Sequence, residues 1–435
     1  MRDTAPKTST KSRLASNHAR RRGRHLLISV VGLLLFVPAY ALGLSLMHRG
    51  LVTPLFAQTI LLCIVAYLAC AYLIDQAAPL PDADRRTVLL LTTLIPYPLL
   101  VLGFAALQQP YSRAAVALMA VLTILWFWIN ERLWQGQIKL RLVCFDDRAW
   151  QDLRKLVDLD LSELERRIEP VPWRADEPQP QGCDGALVSN QHPLSDTQTQ
   201  QLAKLKQQHL RLYSAGAVYE SITGRKNPHE INNPLWQPDG NPFYDGVKRL
   251  TDLLLVVITA PAWVPLGLLV AIAVRLDSKG SALFTQTRIG LYGKPFKIYK
   301  FRTMVFTKEA AAKFAQTNDT RITRLGQFLR KTRLDEIPQL VNVLLGQMSL
   351  IGPRPEQHDF VKRFAINIPN YPYRHLVRPG LTGWAQVTQG YAASEEETSV
   401  KLSYDLYYVS HYCLAMDMLI VVKTIKTLLT GYGAR

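Results

Sequence analysis

The chain is poor in cysteine and in negative charge: it has 5 cysteines in 435 residues, and 34 acidic side chains against 51 basic ones. Cys63 and Cys70 fall in an apolar run, while Cys144, Cys183 and Cys413 are scattered. None has metal-ligand spacing and together they form no disulfide framework, which suits soluble parts held reduced and facing a cytoplasm. No charged residue interrupts any of the first four apolar runs, which argues against an ion or solute pathway through them. No interleaved basic-aromatic module or zinc spacing is present, so nucleic acid is not the expected partner. The net charge of +17 points instead to anionic lipid headgroups or phosphorylated small molecules.

What the chain does have begins with apolar segments. Residues 1–24 are polar and basic, ending in Arg20-Arg21-Arg22-Gly23-Arg24, and form a basic cytoplasmic N-terminus. Runs at about 26–47, 51–74, 87–107 and 114–129 are each near the roughly 20 residues that cross a bilayer. Positive charges precede the first run, separate the second from the third at Arg85 and Arg86, and follow the fourth at Arg132, Lys139 and Arg141. Four spans within 25–136, with both ends cytoplasmic, satisfy that pattern. Pro54, Pro96 and Pro98 are expected to kink these helices.

Residues 137–226 read as a small Rossmann-like α/β module, with strands at 138–145, 185–189 and 210–213 and helices at 152–167 and 197–208. The turn after the first strand, Phe145-Asp146-Asp147-Arg148, lacks Gly-x-Gly-x-x-Gly, so a structural or regulatory role is expected rather than nucleotide binding. Residues 227–241, rich in Pro, Asn and Gly, read as a linker.

A fifth apolar run, 253–274, is long enough to span, yet Lys248 and Arg249 precede it and Arg275 and Lys279 follow it. Both ends carry the cytoplasmic signature, and Pro261 and Pro265 interrupt the middle. The expectation is a re-entrant helix broken at these prolines, returning to the face it came from. The competing reading is a kinked fifth span.

Beyond Ser281 the chain is dense in motifs. Phe296–Met304 reads as a strand on which Lys297 and one or both of Lys300 and Arg302 face a common site. Asp335 and Glu336 follow Arg330, Lys331 and Arg333, and Pro338 fixes a helix start near 334 or 335. An acidic first turn is the plain reading of that pair. The cations around it favour a different one, an ionised carboxylate held in a phosphate-binding site and able to attack phosphorus. Gly352-Pro353-Arg354-Pro355 poses one arginine between two prolines, a setting suited to bidentate phosphate recognition. Arg378-Pro379-Gly380, with Gly383, offers a further arginine and small residues where backbone can approach a ligand. An apolar helix at 416–429 with Lys423 and Lys426 is expected along a membrane surface.

These motifs, in this order through 241–435, closely resemble the bacterial sugar transferases, the monotopic polyprenyl-phosphate phosphoglycosyl transferases. The resemblance rests on Lys248-Arg249, Phe284-Thr285-Gln286 with Arg288 and Gly290, Lys300-Phe301-Arg302-Thr303-Met304, Leu334 to Leu340, Gly352 to Pro355 and Arg378 to Val387. Layout alone makes the first half similar to the large members of the family, those transferring glucose or galactose phosphate. One departure is Val264-Pro265, with the additional Pro261, where many members carry Ser-Pro.

The resemblance implies an α-helical membrane protein plus α/β parts, with a catalytic domain over 242–435. It also implies a location in the bacterial inner membrane with that domain facing the cytoplasm. The implied reaction moves hexose-1-phosphate, from UDP-glucose or UDP-galactose, to undecaprenyl phosphate. Asp335 is the nucleophile, a phosphosugar-aspartyl intermediate forms, and UMP departs. The products start exopolysaccharide, capsule or O-antigen assembly. Glu336 is the expected Mg²⁺ ligand. Lys300, Arg302, Arg330, Arg354 and Arg378 are expected to neutralise the transferring phosphate, with Arg330 preferred over Arg333. An N-acetylated or bacillosamine-type UDP-sugar is the nearest alternative. A catalytically silent scaffold for polysaccharide assembly is the alternative of another class, against which the intact Asp335-Glu336 pair argues. Membrane lipids are expected partners, and the oligomeric state, a homo-oligomer included, is left open.

Overall fold

The computed structural model describes residues 27–77, 82–134, 139–144, 147–156, 164–165, 168–173, 183–188, 195–207, 210–231, 242–305, 321–389 and 394–430. The basic N-terminus, the side chains of Arg85 and Arg86, and residues 232–241 of the expected linker lie outside the described residues. The chain forms two compact units, Met1–Gly224 and Arg225–Arg435.

Among the described residues of the first unit, four helices are long and apolar enough to cross a membrane: Leu27–His48, Pro54–Gln76, Thr87–Ala106 and Arg113–Arg132. Phe56, Ile60, Cys63, Tyr67, Cys70 and Met119 bury one face of the group, while Leu62, Val65, Leu99 and Leu102 remain exposed, as lipid-facing residues are. Polar atoms inside are paired: Tyr67 Oη donates to Ser29 O at 2.7 Å and Tyr97 Oη to Met119 O at 3.1 Å. Pro54 starts a helix instead of kinking one, and Pro96 starts the second half of the third helix after an irregularity at Ile95. Both prolines sit where a missing N–H costs nothing.

The α/β module of this unit carries β1 (Leu140–Cys144), α1 (Asp147–Leu156), β2 (Ile168–Pro172), β3 (Gly185–Val188), α2 (Asp196–Gln207), β4 (Arg211–Ser214) and α3 (Ala215–Thr223). All pairings are parallel and the order is β2-β1-β3-β4. Strand β2 is absent from the sequence reading because Pro170 and Pro172 demote it. At a sheet edge those prolines are tolerated. The first helix runs over Asp147–Leu156, earlier than the 152–167 expected.

The second unit begins with α4 (Pro242–Ile258) and α5 (Ala260–Asp277). The break falls at Thr259, upstream of the expected position: Pro261 lies in the first turn of α5 and Pro265 is accommodated inside it. At the break the Trp263 indole folds back over the last turn of α4, Nε1 donating to Val256 O at 2.9 Å. An antiparallel ribbon follows, β5 (Leu283–Ile289) with β6 (Pro295–Phe301). Next come α6 (Arg324–Lys331), α7 (Gln339–Leu344) and β7 (Ser349–Ile351). The unit ends with α8 (His358–Asn367), β8 (Gly380–Thr382), α9 (Trp384–Thr388), α10 (Glu395–His411) and α11 (Leu414–Thr430). Ile231, inside the stretch read as linker, is buried with Ile368, Tyr371, Leu402 and Leu406 and so belongs to this unit's core.

Counting α5, five helices among the described residues are long and apolar enough to cross a membrane, which marks the chain as a membrane protein.

Candidate active site

Three local structures bring charge to one place. Between α6 and α7 the chain turns at Arg333, whose φ of 59° is unusual for a residue with a side chain, and Leu334–Glu336 then form a 3₁₀ turn. Pro338 follows directly before α7, so helical backbone starts at 334 as its missing N–H requires. Asp335 and Glu336 are both buried, at 8% exposure each.

On β6, the side chains alternate, which places Lys300 on the buried face with Ile298 and leaves Lys297 exposed. Lys300 Nζ donates to Glu336 Oε1 at 3.0 Å. The turn after β7 supplies Arg354, which donates to the same oxygen at 2.9 Å, and Arg333 lies 3.7 Å from it. Arg330 Nε donates to Thr303 Oγ1 at 2.9 Å, and its charge acts on Asp335.

The adjacent carboxylates are pushed in opposite directions. Burial raises the pKa of Asp335, and the charge of Glu336 adds to that, against the pull of Lys300, Arg354 and Arg330. Burial would raise Glu336 too, but Arg354, Lys300 and Arg333 bring it well below the usual carboxylate range. Glu336 is therefore a fixed anion. Asp335 is the more basic of the two, without a hydrogen-bonded cation of its own among the described residues. Such a split between neighbouring acids separates a reacting group from an electrostatic one.

Arg354 is posed from beneath. Arg374 donates to Arg354 O at 2.9 Å, to Tyr371 Oη at 2.9 Å and to Asp405 Oδ2 at 2.6 Å. Arg288 donates to Pro355 O at 3.1 Å, and Glu356 is ion-paired with Lys401. Burial would raise Glu356, yet Lys401, Arg374 and Arg288 lower it to about 2. Burial and the Arg374 charge hold His375 down at about 3, so it is neutral.

Gly380 and Gly383, expected to face a ligand, instead face backbone, as Gly352 does. A Cβ on Gly352 would lie 2.3 Å from Arg378 O, one on Gly380 2.1 Å from Gly352 N, and one on Gly383 2.1 Å from Gly352 O. They let β7 and β8 close against each other and so fix the Arg354 turn.

Among the expected site residues, Asp335, Glu336, Lys300, Arg330 and Arg354 come together, and Arg333 joins them. Arg302 and Arg378 are placed differently. Arg302 donates to Lys279 O at 2.9 Å, Ser278 O at 2.6 Å and Val274 O at 3.3 Å, capping the C-terminus of α5. Arg378 Nε donates to Gly346 O at 3.3 Å, at the end of α7. Sequence reasoning gave no role to Arg374 or to Gln339. Gln339 is 2% exposed, its Nε2 has no partner, and it stands one helical turn after Asp335. A buried cation hydrogen-bonded to a buried acid 31 residues away leaves no local trace.

For Mg²⁺, the donor set is two consecutive carboxylates, and no cluster of three metal-ligating side chains occurs among the described residues. That fits an ion which takes one or two carboxylates and completes its shell with water and substrate phosphate.

The bacterial sugar transferase family model matches residues 243–431. Over 236 residues the chain is 48% identical to a UDP-N-acetylgalactosamine-undecaprenyl-phosphate N-acetylgalactosaminephosphotransferase of Aeromonas hydrophila, covering 54% of this chain and 56% of that protein. It is 42% identical over 190 residues to a UDP-glucose:undecaprenyl-phosphate glucose-1-phosphate transferase of Caulobacter vibrioides, covering 43% of this chain and 71% of the relative. A third relative, the exopolysaccharide production protein PSS of Rhizobium leguminosarum, is 40% identical over 193 residues, 42% of this chain and 96% of the relative. The matched region spans little more than half the length of the Aeromonas protein. The match runs through most of the unit that carries Asp335, Glu336 and Arg354, and the chain belongs to the bacterial sugar transferase family.

Proposed function

We propose that the chain transfers sugar-1-phosphate from a UDP-sugar to undecaprenyl phosphate at a bacterial inner membrane. The observation that carries this is the buried Asp335-Glu336 pair under Lys300, Arg354, Arg333 and Arg330. A cluster with this excess of positive charge suits a diphosphate, and a buried, basic carboxylate beside it suits attack on phosphorus. The same buried charge argues against a silent scaffold, for which it is only a cost.

In the first step an Asp335 carboxylate oxygen attacks the phosphorus that bears the sugar. The bond from that phosphorus to the UMP oxygen breaks, and UMP leaves with the electron pair. In the second step a phosphate oxygen of undecaprenyl phosphate attacks the same phosphorus, the aspartyl–phosphorus bond breaks, and undecaprenyl-diphosphate-sugar forms with Asp335 restored. Mg²⁺, when bound, would supply charge neutralisation on the diphosphate, with Glu336 as its protein ligand. Lys300 and Arg354 hold Glu336 in place and neutralise phosphate oxygens.

The topology proposed is re-entrant. Val256 is buried in one cluster with Ile298 and Val274 in another with Phe301, so both ends of the apolar segment lie beside the same short strand, at residues three apart on its opposite faces. A straight helix from 256 to 274 would separate its ends by about 27 Å. Re-entrance also keeps residues beyond 280 on the cytoplasmic side, where UDP-sugars are.

Glucose or galactose is the sugar first expected. The 48% identity to the N-acetylgalactosamine-phosphate transferase favours a second reading, an N-acetylhexosamine. Purified protein supplied with undecaprenyl phosphate and radiolabelled UDP-glucose, UDP-galactose, UDP-N-acetylglucosamine and UDP-N-acetylgalactosamine tests both. Label in the lipid fraction with UMP release from one donor supports the reaction. No lipid label from any donor contradicts it.

A further inference from the structure

Two guanidiniums converge on the turn that ends α7. Arg249, on α4, donates to Val343 O at 2.6 Å and to Leu344 O at 2.9 Å. Arg378 reaches the same turn at Gly346 O. Gly346 has φ 76°, and a Cβ there would lie 3.4 Å from a terminal nitrogen of Arg249, so the glycine both makes the turn and leaves room for the cation. Among the described residues no carboxylate lies within ion-pair distance of either arginine, and the two terminal nitrogens of Arg378 have no partner. The nearby acids are engaged elsewhere. Asp417 takes Lys248, Tyr244 and Tyr408, and Asp252 accepts from the Leu350 amide. Burial and the Arg378 charge push the Arg249 pKa down, and the charge of Asp252, which makes no ion pair with Arg249, offsets this only in part.

The surroundings narrow the choice of anion. Arg249 is the last cation before the apolar part of α4, whose Leu250, Leu254 and Leu255 are exposed. Just past the end of α7, Leu345 stands between the two carbonyl anchors and is 59% exposed, with Val341 one turn back on α7 and also exposed. A free phosphate needs only the arginines. An anion attached to acyl chains uses both the forks and the apolar collar.

We propose that Arg249 and Arg378 form a binding site for the phosphate of an anionic lipid at the membrane surface, built from residues other than the Asp335-Glu336 cluster. The two arginines grip phosphate oxygens through their free donors while the acyl chains lie against Leu250, Leu254 and Leu345. The site needs no transfer reaction, so it stands or falls apart from the proposed function.

The test is thermal unfolding of the full chain in detergent with dihexanoyl phosphatidylglycerol, dihexanoyl phosphatidylcholine or inorganic phosphate. Phosphatidylglycerol should raise the transition at concentrations where the other two do not. In Arg378→Gln the half-saturating phosphatidylglycerol concentration should rise about tenfold or more, the loss expected for one charge-assisted contact. Arg354→Gln, in the other cluster, should leave it unchanged. Each variant is compared with its own lipid-free transition, and Arg378→Lys, which keeps the charge but not the fork, should fall between. An equal response to phosphatidylcholine, a full response to inorganic phosphate, an unshifted Arg378→Gln, or a loss confined to Arg354→Gln would each overturn the assignment.

Discussion

In the α/β module of the first unit, the Arg141–Glu169 and Arg154–Glu165 pairs have all four side chains more than two-fifths exposed. The buried Asp184 there closes a strand end by accepting from the Arg141 amide. In the second unit Glu336, Asp405 and Asp417 are buried beneath cations, and the Arg374–Asp405 pair is 2% exposed on both sides. Exposed pairs are worth little, while buried ones cost several kcal/mol of desolvation per ion and persist where geometry must be fixed. The first unit could lose these exposed pairs and keep its fold. The second is built around its charges, and that contrast locates the chemistry.

The contrast breaks most sharply at Asp335. Asp335→Asn should reduce transfer by about 10³-fold or more, because the attacking oxygen is gone. The wild-type rate should also fall with acid through a pKa above the ordinary aspartate range, since only ionised Asp335 attacks and its pKa is raised. Glu336 stays ionised there and adds no limb. An acid limb at or below the ordinary aspartate value would contradict the burial of the group.

Arg374→Met comes next. Leaving Asp405 buried without its cation should cost about 3–5 kcal/mol in thermal or denaturant unfolding. A loss under 1 kcal/mol would mean that the second unit does not depend on its buried charges.

Glu336→Gln keeps the shape but removes the anion that Lys300 and Arg354 hold. A loss of about 10²-fold in rate is expected, and EDTA should stop wild-type turnover. Full activity in EDTA would show that the cations alone neutralise the diphosphate.

The smallest effect belongs to the first unit. Glu169→Ala should change stability by about 0.5 kcal/mol or less. A larger loss would erase the distinction between the units.

Local signals carried much of this into the sequence. Pro338 fixed the start of helical backbone and so put Asp335 and Glu336 on one turn, and the apolar runs and the β-α alternation were readable by period. The failures share a cause, which is contact between distant segments. Nothing near Arg302 in sequence says that the carbonyls of α5 lie within its reach, so it read as a phosphate ligand. Gly380 and Gly383 read as a ligand cradle because only the folded chain brings Gly352 against them. The break at Thr259 precedes the prolines that cause it, since Pro261 suits the first turn of a new helix better than the middle of an old one.

Intact-protein mass spectrometry of wild type and Asp335→Asn, each incubated with the UDP-sugar found active and no lipid acceptor, tests the central claim most directly. The account predicts a wild-type species heavier by one hexose-phosphate or N-acetylhexosamine-phosphate, removed on adding undecaprenyl phosphate and absent from Asp335→Asn. An Asn variant that still forms the adduct, or that turns over at a near-normal rate, would contradict Asp335 as the nucleophile.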